Sequence, residues 1–244
     1  MPRSKYESIY KDLKEKIEEG EYPYQELLPS EHQLIQTYDC SRNTVRRALS
    51  NLVADGYIQT LPGKGVRNIY QAVEQASYTL GSIESFRESS LRNRRSGSTR
   101  VLQFMELTAD RKIASRTGFP EGAELYYVQR LHYLDLKPLI INHNYFLKSA
   151  VPGLTREIAE GSIYNYLENT LDMTIVNSKR TVTVEKITQI DEKYLELNVD
   201  DYNCLAVITS QTYNSDGVMF EYTQSRHRPD YFRFQDNAIR RKSS

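Results

Sequence analysis

Ser41-Arg42-Asn43-Thr44-Val45-Arg46-Arg47 places an amide among three guanidinium groups, directly behind a serine able to cap a helix. At the edges of the DNA major groove Arg pairs bidentately with guanine and Asn with adenine, so a helix that turns Arg42, Asn43 and Arg46 outward carries base-reading chemistry. On an isolated helix the same pattern is only a solvated charged face. A second chemistry, anion binding, is spread over the rest of the chain. Gly161-Ser162-Ile163-Tyr164 opens a helix whose free N–H groups and positive dipole end attract an anion, with the Ser162 hydroxyl as a further donor; plain capping by Ser162 accounts for it equally well. Ser85-Phe86-Arg87-Glu88 sets a hydroxyl and a guanidinium near another helix start, and Arg130 falls mid-strand, where burial calls for an anionic partner. A structural salt bridge serves each of these arginines as well as a ligand does. Lone acids such as Glu221 read first as hydrogen-bonded strand carboxylates. The chain holds no Gly-x-x-x-x-Gly-Lys-Ser/Thr loop, no Gly-x-Ser-x-Gly elbow and no His-Glu-x-x-His pair. Nucleotide hydrolysis, α/β-hydrolase chemistry and zinc proteolysis thereby lose their usual support.

The elements that must position these groups follow from apolar spacing. Tyr6, Ile9, Tyr10, Leu13 and Ile17 make one stripe of a first helix that Gly20 closes. Ser30 with Gln33 three residues on forms a capping box for a short second helix facing inward through Leu34, Ile35 and Tyr38. Ser41 caps a third helix that buries Val45, Ala48, Leu49 and Leu52 and leaves Arg42, Asn43, Arg46 and Arg47 outside. Tyr57 to Leu61, the turn Pro62-Gly63-Lys64-Gly65 and Val66 to Tyr70 then read as a hairpin with a basic tip. Three helices followed by such a hairpin have the layout of a winged helix-turn-helix.

The length of 244 residues favours two domains at roughly 100–200 residues each, and 39% hydrophobic with 26% charged residues is the balance of a globular chain. No stretch approaches the roughly 18–20 apolar residues of a spanning helix, and no apolar signal core follows Met1, so a cytoplasmic address without membrane contact is expected. Cys40 and Cys204 lie too far apart in sequence for a disulfide framework, and with four scattered His they make no recognisable metal site; no cofactor is called for. The formal net charge is zero, but residues 40–70 carry Arg42, Arg46, Arg47, Lys64 and Arg67 against Asp55 alone. Positive charge is thus concentrated where the base-reading residues lie. Beyond a linker over 71–78, strands are expected over 125–133, 138–147, 181–187, 204–213 and 218–226, and helices over 83–91, 109–117, 163–171 and 191–197. The expected fold class is α+β, with a largely antiparallel sheet in a second domain spanning 79–244 after a first domain of 1–70.

Leu28-Pro29-Ser30-Glu31, Ser41 to Leu49, Leu52, Asp55-Gly56-Tyr57-Ile58 and Gly63-Lys64-Gly65 resemble the DNA-binding signature of GntR-type bacterial transcription regulators. The resemblance implies that Ser30, Arg42, Asn43, Thr44, Arg46, Lys64 and Gly65 meet double-stranded operator DNA. His32 stands where the family usually has an Arg, and Val66-Arg67-Asn68 replaces a more hydrophobic strand. Farther on, Arg130-Leu131-His132, Pro152-Gly153-Leu154, Gly161-Ser162-Ile163-Tyr164, Asp216-Gly217 and Glu221-Tyr222 resemble the UTRA ligand-sensing domain of the HutC subfamily, whose fold is chorismate lyase-like. Ser82 to Ser89, Ser225 to Asp230 and Phe232-Arg233-Phe234 are similar to trehalose-operon repressors, whose inducer is trehalose 6-phosphate. That resemblance implies a sugar-phosphate site from Ser85, Arg87, Arg130, Ser162, Tyr164 and Glu221. It adds His132 in place of a second Arg, Asn142 in place of an acid and His227 where a Tyr is common.

The function expected on this basis is a homodimeric repressor that binds an inverted repeat and is released by a phosphorylated sugar. A dimer follows because one small head buries too little to be specific alone. The alternatives are a regulator sensing another sugar phosphate or a small carboxylate, and an enzyme built on the chorismate lyase-like domain.

Overall fold

Ser30 and Ser41 do what their positions promised: their hydroxyl oxygens accept from Gln33 N and Thr44 N and start the second and third helices. In the computed structural model, which describes residues 4–71, 78–79, 83–198 and 200–235, the chain forms two compact units. The first holds α1 (Lys5–Glu18), α2 (Glu31–Tyr38), α3 (Arg42–Ala54), and the antiparallel pair β1 (Ile58–Leu61) and β2 (Gly65–Asn68). Ile9, Leu13 and Ile17 of α1, Leu34 of α2, and Val45, Ala48, Leu49 and Leu52 of α3 close one core with Ile58 and Val66 of the hairpin. Tyr38 to Asp12, Tyr10 to Asp55 and Tyr57 to Glu18 hydrogen bonds tie α1 to the elements around it. The wing's unusual Asn68 is buried yet satisfied, donating to Tyr22 O and accepting from Tyr70 N. Residues 72–77 of the expected linker lie outside the described residues, as do 236–244 of the expected second domain.

Beyond the wing, β3 (Tyr78–Thr79) pairs with β10 (Phe234–Gln235) apart from the main sheet. Between them run α4 (Phe86–Arg92), β4 (Gly97–Thr108), α5 (Arg111–Thr117), β5 (Glu124–Leu134), β6 (Lys137–Leu147), α6 (Arg156–Glu160), α7 (Ile163–Asn169), β7 (Ile175–Lys186), α8 (Gln189–Leu195), β8 (Cys204–Asn214) and β9 (Met219–His227). Strands β4 to β9 form one antiparallel sheet in the order β4-β5-β6-β9-β8-β7. The sheet is therefore wholly, not just largely, antiparallel. Several expected boundaries move. The helix expected over 83–91 starts at Phe86 because Ser85 caps it, the one expected over 109–117 starts at Arg111 behind Asp110, and the one expected over 191–197 starts at Gln189 behind Thr188. The strand expected from Thr181 begins six residues earlier, and β4 and α6 were not anticipated.

One face of the sheet packs on an apolar cluster that includes Val101, Tyr126, Val128 and Phe146 from strands with Ala159, Ile163 and Leu167 from α6 and α7. On β9, Arg226 is buried and paired with the buried Asp191 of α8 (Nε–Oδ1 2.9 Å) and with Glu185 of β7 (2.6 Å). A buried charge of this kind is tolerable only when its hydrogen bonds are met, and Lys186 O accepts a further one. Gly97 is required by close approach: a Cβ there would lie 2.4 Å from Ser90 Oγ, so its absence lets α4 lie against β4.

Candidate functional site

Two surfaces hold the residues singled out from the sequence, one in each unit. In the first, Arg42 and Asn43 open α3 on its exposed side, and Thr44 shares a 2.8 Å hydroxyl contact with the capping Ser41. Arg46 is also exposed, and its Nε donates to the Glu31 carboxylate at 3.2 Å and 3.3 Å. The terminal nitrogens of Arg46 remain for an outside acceptor. Arg47, by contrast, turns toward α1, with its guanidinium 3.8 Å from the Tyr6 ring centre. Ser30 sits exposed at the start of α2, held by its capping box with Gln33. Lys64 and Gly65 are exposed at the wing turn, where Gly63 and Gly65 take positive φ values of 71° and 108° that favour glycine. Arg42, Asn43, Thr44 and Arg46 thus lie on the first turns of one helix, and Lys64 with Gly65 on the tip of one hairpin.

The second surface is a cavity of about 180 Å³ on the sheet, many times the roughly 10–15 Å³ a single water needs. All nine residues singled out in this half, Ser85, Arg87, Arg130, His132, Asn142, Ser162, Tyr164, Glu221 and His227, line it. The central strands supply the floor because alternate residues of β5, β6 and β9 point to one face: Arg130 and His132, Asn142 and Asn144, Glu221, Thr223 and His227. The starts of α4 and α7 supply the rim.

Glu221 is buried and accepts at both oxygens: Oε1 from Asn144 Nδ2 (3.1 Å) and Thr223 Oγ1 (2.7 Å), Oε2 from Tyr164 Oη (2.8 Å). Burial first and Glu221 second raise the Tyr164 phenol well above its usual range, so Tyr164 stays a donor. Asn144 Oδ1 in turn accepts from Arg130 Nε at 3.1 Å. That is the one protein hydrogen bond of the Arg130 guanidinium among the described residues, and no carboxylate lies within ion-pair distance of it. Burial lowers the Arg130 pKa and the Glu221 charge opposes that shift, but an arginine remains a cation. Its terminal N–H groups are open to an anion. Arg87 is exposed and likewise makes no ion pair among the described residues, so the salt-bridge alternative holds for neither arginine.

At the other end His132 is 1% exposed. Burial, then Arg130 and His227, drive its pKa well down, so the ring is neutral. Asn142 Nδ2 meets His132 Nε2 at 2.9 Å, which makes Nε2 the acceptor and leaves Nδ1–H to donate to Thr99 Oγ1 at 2.9 Å. The Phe86 ring lies over the imidazole at 4.5 Å. Asn142 Oδ1 is buried without a protein hydrogen-bond partner. His227 is buried too, and burial pushes it down to about 3.

Ser85 and Ser162 are both helix caps: their oxygens accept from Glu88 N and Asn165 N, each at 3.2 Å. Capping therefore accounts for the two hydroxyl oxygens, while both serines still line the cavity. Two lining residues that sequence reasoning missed are Asn144 and Arg180. Asn144 is in phase with Asn142 on the same strand, a period-two signal that was available. Arg180 becomes visible only once β7 is in register with β8, opposite Ser210.

A UTRA domain profile matches residues 92–233, and the profile of bacterial regulatory proteins of the gntR family matches residues 5–67. The HTH-type transcriptional regulator TreR of Bacillus subtilis (strain 168) is 34% identical over 242 residues, covering 99% of this chain and all of that protein. The effector binding domain of the B. subtilis trehalose repressor (TreR) is 32% identical, with a TM-score of 0.52 over 59% of this chain and 99% of that one. The crystal structure of the possible transcriptional regulator YydK from B. subtilis subsp. subtilis str. 168 shares the fold, with a TM-score of 0.81 at 22% identity over 97% of this chain and 100% of that one. The antiparallel sheet, the reading helix with its wing and these full-length likenesses make one assignment: the chain belongs to the gntR family of bacterial transcription regulators, in the HutC type that joins the DNA-binding head to a UTRA effector domain.

Proposed function

We propose that this regulator is a cytoplasmic, homodimeric repressor of a sugar-utilisation operon, and that trehalose 6-phosphate, filling the cavity of the second unit, releases it from its operator. The observation that carries the reading is the Arg130 guanidinium, bound to the protein through Nε alone among the described residues and set in the wall of a cavity that Arg87, Arg180, amides, hydroxyls, imidazoles and the Glu84 and Glu221 carboxylates also line. Arg130 and Arg87 supply charge-assisted donors for a phosphate. Asn142, Asn144, Thr223 and Glu221 supply the mixed donors and acceptors that sugar hydroxyls need. The name of the 34% identical relative's effector domain, the trehalose repressor, supports the disaccharide. In the first unit Arg42, Asn43 and Arg46 read bases, while Ser30, Thr44, Lys64 and Gly65 meet the backbone. Two such heads related by a two-fold match an inverted repeat.

The test is a calorimetric titration of the free protein and of its operator complex with trehalose 6-phosphate and with trehalose. Tight binding of the phosphorylated sugar to the free protein, weakened in the complex by the same factor by which the sugar weakens operator binding, is expected from linkage. Equal binding of the two sugars, or an operator that leaves both affinities unchanged, overturns the sensor reading. Preference for another sugar phosphate or for a small carboxylate overturns the trehalose part alone.

A further inference from the structure

The cavity floor does not stop at the strands that carry the residues expected from the sequence. It runs on across β8 and β7, where Ser178, Arg180, Ile208, Ser210 and Thr212 line it. From β5 to β7 the order β5-β6-β9-β8-β7 sets four inter-strand intervals, about 19 Å at the usual strand spacing. One row of cross-strand partners joins the two ends. Arg180 stands opposite Ser210, Ser210 opposite Thr223 and Thr223 opposite Asn144, and Asn144 accepts from Arg130 Nε at 3.1 Å. All of them line the cavity, so two guanidinium groups bound a strip of hydroxyls and an amide.

The length of that strip exceeds what one ring needs. The proposed function puts the phosphate at Arg130 of β5 and the ring that carries it over Asn142, Asn144, Thr223 and Glu221 of β6 and β9. A hexose ring with its phosphate reaches across roughly two intervals of about 4.8 Å, from β5 to β9. The β8–β7 end lies beyond its reach. The chemistry there suits sugar hydroxyls: Arg180 gives donors only, Ser178 and Ser210 donate or accept, and the half-buried Ile208 offers an apolar surface to ring C–H groups. Among the described residues of β7 and β8, Arg180 is the one charged side chain that lines the cavity.

We propose that Ser178, Arg180 and Ser210 form a second-ring subsite, which makes the cavity select a phosphorylated disaccharide over a phosphorylated monosaccharide. It rests on the sugar-phosphate reading of the proposed function and gives β7 and β8 their part in it. The ligand lies across the strands, with its phosphate at β5, the ring that bears the phosphate over β6 and β9, and the far ring over β8 and β7. Arg180 is then a specificity residue, because it touches only the ring that a monosaccharide lacks.

Calorimetric titration of the full chain with trehalose 6-phosphate and with glucose 6-phosphate tests the subsite. The wild type is expected to bind the disaccharide phosphate about tenfold or more tighter. Arg180→Ala is expected to weaken trehalose 6-phosphate about tenfold and to leave glucose 6-phosphate at its wild-type affinity, which also shows the variant folded. Ser210→Leu, which fills the same place with a branched apolar side chain, is expected to do the same and decides the matter if Arg180→Ala fails to fold. Loss of both phosphorylated sugars alike in a folded variant overturns the subsite, because Arg180 then serves the phosphate. Unchanged trehalose 6-phosphate affinity in both variants overturns it too, and in either case the sensor of the proposed function stands. A wild type that binds glucose 6-phosphate as tightly as trehalose 6-phosphate overturns this inference together with the trehalose part of that function. One that binds neither overturns the inference and the sensor reading itself.

Discussion

Asn144 stands between Arg130 and Glu221, accepting from the guanidinium Nε at 3.1 Å and donating to the carboxylate at 3.1 Å. One amide on β6 thus keeps a cation of β5 and an anion of β9, the two strands that flank it, from closing on each other. The cation stays open to the cavity and the anion is satisfied by Asn144, Thr223 and Tyr164. Asn144→Leu removes the spacer and leaves Arg130 and Glu221 to pair directly. Losing a buried, fully bonded amide is expected to cost about 1–3 kcal/mol of stability, read by urea denaturation, and to weaken sugar-phosphate binding about tenfold or more. Unchanged affinity in a folded variant would show that the spacing is incidental.

Arg130→Ala should erase most of the preference for trehalose 6-phosphate over trehalose while operator affinity in the absence of sugar stays at the wild-type value. Hydrogen bonds to charged groups are worth about 1.5–3 kcal/mol, so the discrimination lost is about 10- to 100-fold. Arg87→Ala should lose less, because its exposed guanidinium is already solvated. Calorimetry with both sugars separates the two arginines. A larger loss at Arg87 would put the phosphate at the rim.

Stability should fall as pH is lowered from neutrality, and the cause is histidine. His132 and His227 are buried with pKa values lowered, His227 to about 3, against an unfolded value near 6.5. The unfolded chain therefore binds protons that the folded chain refuses. Stability is fully present above about pH 6.5 and is lost below it by about 1.4 kcal/mol per unit for each such histidine. Urea midpoints between about pH 7.5 and about pH 5 avoid most carboxylate titration. A flat profile there would mean that the two rings are charged or exposed in the fold.

On DNA, Arg42→Ala and Arg46→Ala should each cost roughly 1–3 kcal/mol at the operator and relax preference at one base pair per half-site. Lys64→Ala should weaken all sequences alike and lower the salt slope by about one. Glu31→Gln unties Arg46 Nε and should raise affinity for random DNA more than for the operator. Equal losses on operator and random DNA for Arg42→Ala would reduce that residue to a phosphate contact.

What the sequence made legible divides along burial. In the first unit each helix carries a full apolar stripe behind a capping serine, so Leu13, Val45 and Leu52 announce their elements. In the second unit β4 escapes notice because, as an edge strand, it buries Val101 alone, and its polar positions carry no clean alternation. The first half of β7 escapes for the same reason, and α6 is too short to show a helical period. Ser85, Arg87, Arg130 and Ser162 were found by their chemistry. Tyr164, Glu221, His132, Asn142 and His227 came from the family resemblance, because nothing in a lone strand acid or histidine says which face of a sheet it will occupy.

The double duty of Ser85 and Ser162 bears on how such a sensor changes over generations. Each closes a helix end and borders the cavity, so a substitution there alters folding and recognition together and meets two filters at once. His132 and Asn142 bond to one another, His132 also bonds to Thr99, and neither supports a helix end. A lineage drifting toward a new inducer therefore finds its open path through the imidazole–amide pair, with the serines as the fixed frame around it.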